Sequence, residues 1–124
     1  MNINGKWYTE TEAQAYITKL EKELAESRNV SDKIEQIMTH YTFGQQRQVF
    51  AEECAEAIQA AMKLSRAETV ADYEKAAAAL DSEVADVIIM AEQMRLYLGK
   101  DKVDKEVLRK LDRQIERIKA EQEG

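Results

Sequence analysis

The stretch from Gln45 to Leu64, QQRQVFAEECAEAIQAAMKL, decides how the whole chain reads. It contains no glycine or proline, and its Ala, Gln, Glu and Lys are strong helix formers. Phe50, Cys54, Ala57, Ile58, Ala61 and Met62 recur at helical spacing, so a helix is expected with those residues on its core side. Glu53 and Glu56 stand three apart on it, which sets their Cβ atoms roughly 5–6 Å from each other.

Reading toward the C-terminus, Ser65 to Thr69 forms a short connection, and Thr69 followed by Asp72 is a capping pair. A second long helix is expected over about 70–98, burying Tyr73, Ala76, Leu80, Val84, Val87, Ile88, Ala91 and Met94. It carries another acidic pair three apart, Glu83 and Asp86. Gly99 suits the left-handed position after a helix end. A last helix over about 104–120 shows Val107, Leu108, Leu111, Ile115 and Ile118.

Reading toward the N-terminus, Tyr41-Thr42-Phe43-Gly44 is expected as a turn, preceded by a short helix through His40 that turns Ile34, Ile37 and Met38 inward. Ser27-Arg28-Asn29 is expected to break the chain. Before it, Thr9 and Glu12 have capping-box spacing and open a helix over about 10–27 with Ala13, Ile17, Leu20 and Leu24 on one stripe. Residues 1–8 read as an arm anchored by Trp7 and Tyr8. The expected fold is all-α, an antiparallel bundle of four to five helices.

The chain has 124 residues, no proline and four glycines, which fits one domain rich in helix. Its formal net charge is −6, from 18 Lys+Arg against 24 Asp+Glu. Phosphate contacts along a nucleic acid need clustered basic side chains, so no nucleic-acid partner is expected. A small phosphate ligand stays open, because a metal ion reverses the local field. Cys54 is the single cysteine, which removes an internal disulfide or cysteine-based zinc site. The longest apolar run, Val87-Ile88-Ile89-Met90-Ala91, is far short of a membrane span. The opening residues hold no apolar signal core. A cytoplasmic protein with no membrane partner is expected.

The two acidic pairs belong together. At about 1.5 Å per residue, each lies roughly 17–22 Å from the connection between the helices. Since a short connection makes helices antiparallel neighbours, Glu53, Glu56, Glu83 and Asp86 fall at nearly one level. They flank Cys54, Ala57, Val84 and Val87, so they stand at or within the packed seam. Carboxylates at this spacing are commonly just solvated surface. Here the shared level, with no basic partner on the same stripe, sets a site on equal footing with that surface reading, and spacing alone goes no further. Four anions converging on a seam repel one another and lose hydration, and a cation removes both costs. An all-oxygen donor set points to magnesium, or manganese in its place. A di-iron bundle needs Glu-x-x-His on two helices, and the one histidine, His40, lies in no such motif.

The run Glu52-Glu53-Cys54-Ala55-Glu56, followed after 26 residues by Glu83-Val84-Ala85-Asp86, resembles the signature of the all-α nucleoside triphosphate pyrophosphatases, the MazG-like superfamily. His40-Tyr41, Gln45, Gln46 and Gln48 before it, and Ala57-Ile58-Gln59-Ala60 and Lys63 after it, add to the likeness. So do Val87 to Met94 and the closing helix with Lys110, Arg113 and Arg117. The resemblance covers about residues 31–118. It implies a MazG-like helical domain over 31–124, with residues 1–30 an arm and extra helix outside it. It also implies magnesium-dependent cleavage of nucleoside triphosphates to the monophosphate and pyrophosphate. Glu53, Glu56, Glu83 and Asp86 would be metal ligands, Glu52 would orient a ligand or activate water, and the protein would be a homodimer or homotetramer.

Other residues carry paired readings. Lys63, two turns beyond Glu56, is a phosphate contact or a solvated lysine. Arg66, Lys110, Arg113 and Arg117 are phosphate contacts, reaching in from a neighbouring subunit, or surface partners of nearby glutamates. Tyr97 shares a stripe with Asp86, Met90 and Gln93 and either meets the base or sugar or packs in the core. Gln46 or Gln48 is a candidate nucleotide-reading amide. Two alternatives stand beside the pyrophosphohydrolase: hydrolysis of another pyrophosphate nucleotide of the phosphoribosyl-ATP type, and a non-catalytic helical interaction module.

Overall fold

A computed structural model describes residues 2–3 and 5–124. The fold is all-α apart from a small N-terminal hairpin, with four helices among the described residues. The chain divides into two compact units, residues 1–40 and 41–124.

In the first unit, strands β1 (Asn2–Ile3) and β2 (Lys6–Trp7) pair antiparallel. Gly5 between them has φ +83°, a left-handed conformation that glycine adopts at no steric cost. The expected arm thus contains a short hairpin. Its sequence signal was the Asn4-Gly5 dipeptide, although Asn4 itself lies outside the described residues. Helix α1 (Glu10–His40) follows. The Glu12 amide donates to Thr9 Oγ1 at 3.1 Å and the Thr9 amide to Glu12 Oε2 at 3.0 Å, completing the expected capping box. Tyr8 stacks on Tyr16, with ring centroids 5.8 Å apart, and so ties the arm to α1.

Ser27-Arg28-Asn29 does not break α1, which runs unbroken through them. Serine and asparagine cost an established helix only a few tenths of a kcal/mol each, and no glycine or proline enforces a stop. The two N-terminal helices expected from the sequence are one.

In the second unit, α2 (Phe43–Ser65) and α3 (Val70–Leu98) form an antiparallel hairpin, and α4 (Lys100–Glu123) follows Gly99. The expected turn at 41–44 is shorter than its sequence suggested, because Thr42 caps α2. Its hydroxyl accepts from the Gln45 amide at 3.2 Å, and the Gln45 side chain accepts from the Thr42 amide at 2.9 Å. Thr69 caps α3 in the expected way, accepting from the Asp72 amide at 3.0 Å. Gly99 has φ +112°, which explains why glycine ends α3.

The α2 stripe facing α3 is Phe43, Gln46, Val49, Phe50, Glu53, Cys54, Ala57, Ala60 and Leu64, all buried or half-buried. Its counterpart on α3 runs through Ala76, Leu80, Glu83, Asp86, Val87, Met90, Gln93, Met94 and Tyr97. Ile58, Ala61 and Met62 on α2, and Tyr73, Val84 and Ile88 on α3, were expected in the core and are exposed. Both helices are apolar on two sides, and periodicity alone does not say which side meets the neighbouring helix. From Asp104 onward every residue of α4 is exposed.

Candidate functional site

The α2–α3 seam is polar at its centre. Glu53, Glu83 and Asp86 are half-buried on it, and Glu56 stands at its exposed edge. Carboxylate oxygens of Glu53, Glu56 and Glu83 come within 4.8 Å of one another, close enough to share one cation. Oε2 of Glu53 and Oε2 of Glu83 are both buried with no hydrogen-bond partner. Among the described residues, none of the four carboxylates forms an ion pair with a lysine or arginine.

Electrostatics follow from that geometry. Partial burial holds the Glu53 carboxyl above its ordinary range, and the charges of Glu56, Asp86 and Glu83 push it the same way. Burial, then Glu56 and Asp86, raise Glu83 likewise. Removing an anion from water while surrounding it with like charges disfavours its ionised form. A divalent cation would reverse both effects, and a set of hard carboxylate oxygens matches magnesium or manganese. The orphaned oxygens of Glu53 and Glu83 fit such an ion.

Seven residues before Glu53 on α2 lies Gln46, and seven after Asp86 on α3 lies Gln93. Gln46 Nε2 donates to Gln93 Oε1 at 2.8 Å, and Gln93 Nε2 approaches Met90 Sδ at 3.5 Å. Gln93 is 1% exposed and Gln46 5%. Of the two candidate nucleotide-reading amides, Gln46 thus directs its Nε2 donor into the seam, and Gln48 is exposed. Tyr97 sits above this pair, its hydroxyl donating to the Tyr41 carbonyl at 3.2 Å and its ring 4.9 Å from that of Phe43. Gln93 is the residue that sequence reasoning missed. Its signal is its position, mirroring Gln46 across an antiparallel hairpin.

The structure brings Glu53, Glu56 and Glu83 together, with Asp86 half-buried on the same seam. Lys63 lies with Arg66 and Lys75 around a cavity of about 310 Å³ at the α2–α3 turn. Glu52, next to Glu53, is exposed. Lys110, Arg113 and Arg117 are exposed on α4.

Compared with known proteins, the chain matches no family model, no curated protein and no solved structure. No helix is long and apolar enough to cross a membrane, among the described residues.

Proposed function

We propose that this protein is a magnesium-dependent nucleoside triphosphate pyrophosphohydrolase of the MazG-like kind, releasing pyrophosphate and a nucleoside monophosphate. The observation behind this reading is the approach of three carboxylates from two helices to within 4.8 Å, with two buried oxygens left without partners. Such an arrangement costs stability unless a cation completes it.

Glu53, Glu56 and Glu83 would hold the ion, magnesium or manganese in its place, with Asp86 closing the set. The bound ion would neutralise the triphosphate and lower the pKa of water near it. Glu52, one residue away and exposed, would orient that water or accept its proton. Tyr97 and Gln46 would shape the nucleoside end of the seam rather than read it, since their polar ends are engaged within the hairpin. Lys110, Arg113 and Arg117 would reach the phosphates from a second copy, in a homodimer or homotetramer built on the apolar stripe of α4. We place the activity in the cytoplasm, where its substrates are made.

The deciding experiment measures pyrophosphate release from the eight common ribo- and deoxyribonucleoside triphosphates, and from phosphoribosyl-ATP, with magnesium. Turnover of at least one is expected, abolished by Glu53→Gln and by Asp86→Asn with helical content unchanged. Absence of release from every substrate would overturn the proposal. It would favour instead an interaction module, a reading supported by the uncovered apolar side chains of α4.

A further inference from the structure

We propose that the α2–α3 turn carries a second binding site, for a polyphosphate anion, that works without divalent metal. Lys63 and Arg66 from the end of α2, and Lys75 from the start of α3, line the 310 Å³ cavity together with Asp72, Ala76 and Ala79. Three cations face one carboxylate there, in a chain whose formal net charge is −6. None of the three is ion-paired among the described residues, so their donors are open to a ligand.

The cavity is built rather than incidental to loose side chains. Ala76 and Ala79 keep its floor low, and Ala76 is buried. The turn is pinned at both ends: the Arg66 amide donates to the Lys63 carbonyl and the Ala67 amide to the Leu64 carbonyl, each at 3.2 Å, while Thr69 caps α3. The fixed turn sets the backbone positions from which Lys63 and Arg66 reach, while the flexible side chains themselves are ordered only when a ligand arrives. The positive end of the α3 dipole adds to the three side-chain charges. A guanidinium fork and two ammonium groups suit phosphate oxygens. The volume is near the lower limit for small-molecule pockets, which suits a di- or triphosphate chain without a base.

This cavity is distinct from the carboxylate cluster. Lys63 is seven residues beyond Glu56 on the same helix face, so the two are about 10 Å apart. That exceeds the screening length of about 8 Å at physiological salt, so the acids repel an anion there only weakly.

The test is calorimetric titration of the full chain with inorganic tripolyphosphate at physiological ionic strength in EDTA, where no metal-dependent turnover occurs. Saturable single-site binding is expected. It should weaken about tenfold for each of Lys63→Ala, Arg66→Ala and Lys75→Ala, as loss of a charge-assisted hydrogen bond predicts, and stay unchanged in Glu53→Gln. Adenosine triphosphate in the same buffer separates the sources: equal affinity identifies a free phosphate chain, and tighter binding that still needs the three cations identifies a nucleotide's phosphate tail. All three side chains are exposed, so the variants should fold, checked by circular dichroism. No saturable binding, binding indifferent to the three substitutions, or sulfate binding as tightly as tripolyphosphate would overturn the proposal. Failure of the pyrophosphate-release assay would leave this result standing.

Discussion

Gln46 and Gln93 meet across the α2–α3 seam through a 2.8 Å side-chain hydrogen bond, both almost wholly shielded from water. Truncating one partner strands the other's buried amide, which costs about 1–3 kcal/mol. Gln46→Met and Gln93→Met should each lower unfolding free energy by that amount in urea titrations. The double variant, with both amides gone, should lose less than the two singles together. Strict additivity would show that the two amides act independently.

Glu53 and Glu83 make a second prediction, about metal. With their ionised forms disfavoured by burial and by neighbouring carboxylates, Glu53→Gln should raise the metal-free melting temperature at neutral pH. Magnesium should raise that of the unsubstituted chain and do much less for Glu53→Gln. Differential scanning fluorimetry with and without EDTA reads both, and equal magnesium shifts in the two proteins would remove Glu53 from the site.

The same groups set a pH dependence. Their folded-state pKa values lie above the ordinary 4.5, so the folded chain binds more protons than the unfolded one just above that value. Stability contributed by the protonated forms is complete below 4.5 and is lost as pH rises through the raised values. Asp104 and Glu106 have the opposite sign. The hydrogen bonds from Arg95 and Arg109 hold them below their ordinary 3.8 and 4.5. Their contribution is complete above those values and lost as pH falls through the lowered ones. Metal-free melting temperatures should therefore decline toward neutral pH, and Glu53→Gln/Glu83→Gln should flatten that branch while leaving the acid branch intact.

Val107, Leu108, Leu111, Ile115 and Ile118 on α4 are each 50–61% exposed. Covering half a leucine or isoleucine is worth roughly 1 kcal/mol, so ten such side chains in a pair of copies offer roughly 10 kcal/mol. Association costs a similar amount. Reversible, concentration-dependent assembly is expected in sedimentation equilibrium, and Leu111→Asp should shift it to monomer.

Much of this architecture was legible in the sequence, for identifiable reasons. Without proline, and with the Thr9–Glu12 and Thr69–Asp72 caps, helices were the only regular structure that the pattern favoured. The acidic pairs were legible because spacing of three on a helix and a short connection together fix where they lie. The uninterrupted α1 was not, since serine, arginine and asparagine signal a break only weakly. Neither was the outward turn of Ile58, Met62, Val84 and Ile88: the face that meets α3 is chosen by the whole stripe, including its polar members. Gln93 shared a stripe with Asp86, Met90 and Tyr97, but its hydrogen bond to Gln46 depends on how the two helices face each other, which spacing along one helix does not fix.

The equal seven-residue interval from Gln46 to Glu53 and from Asp86 to Gln93 constrains how this hairpin can change length. Inserting one residue into either interval would swing everything beyond it by about 100° and pull amides and acids onto different faces. Only an insertion of whole turns, made in both helices together, would keep the two layers aligned. The hairpin therefore admits no slippage between its amide pair and its acidic centre.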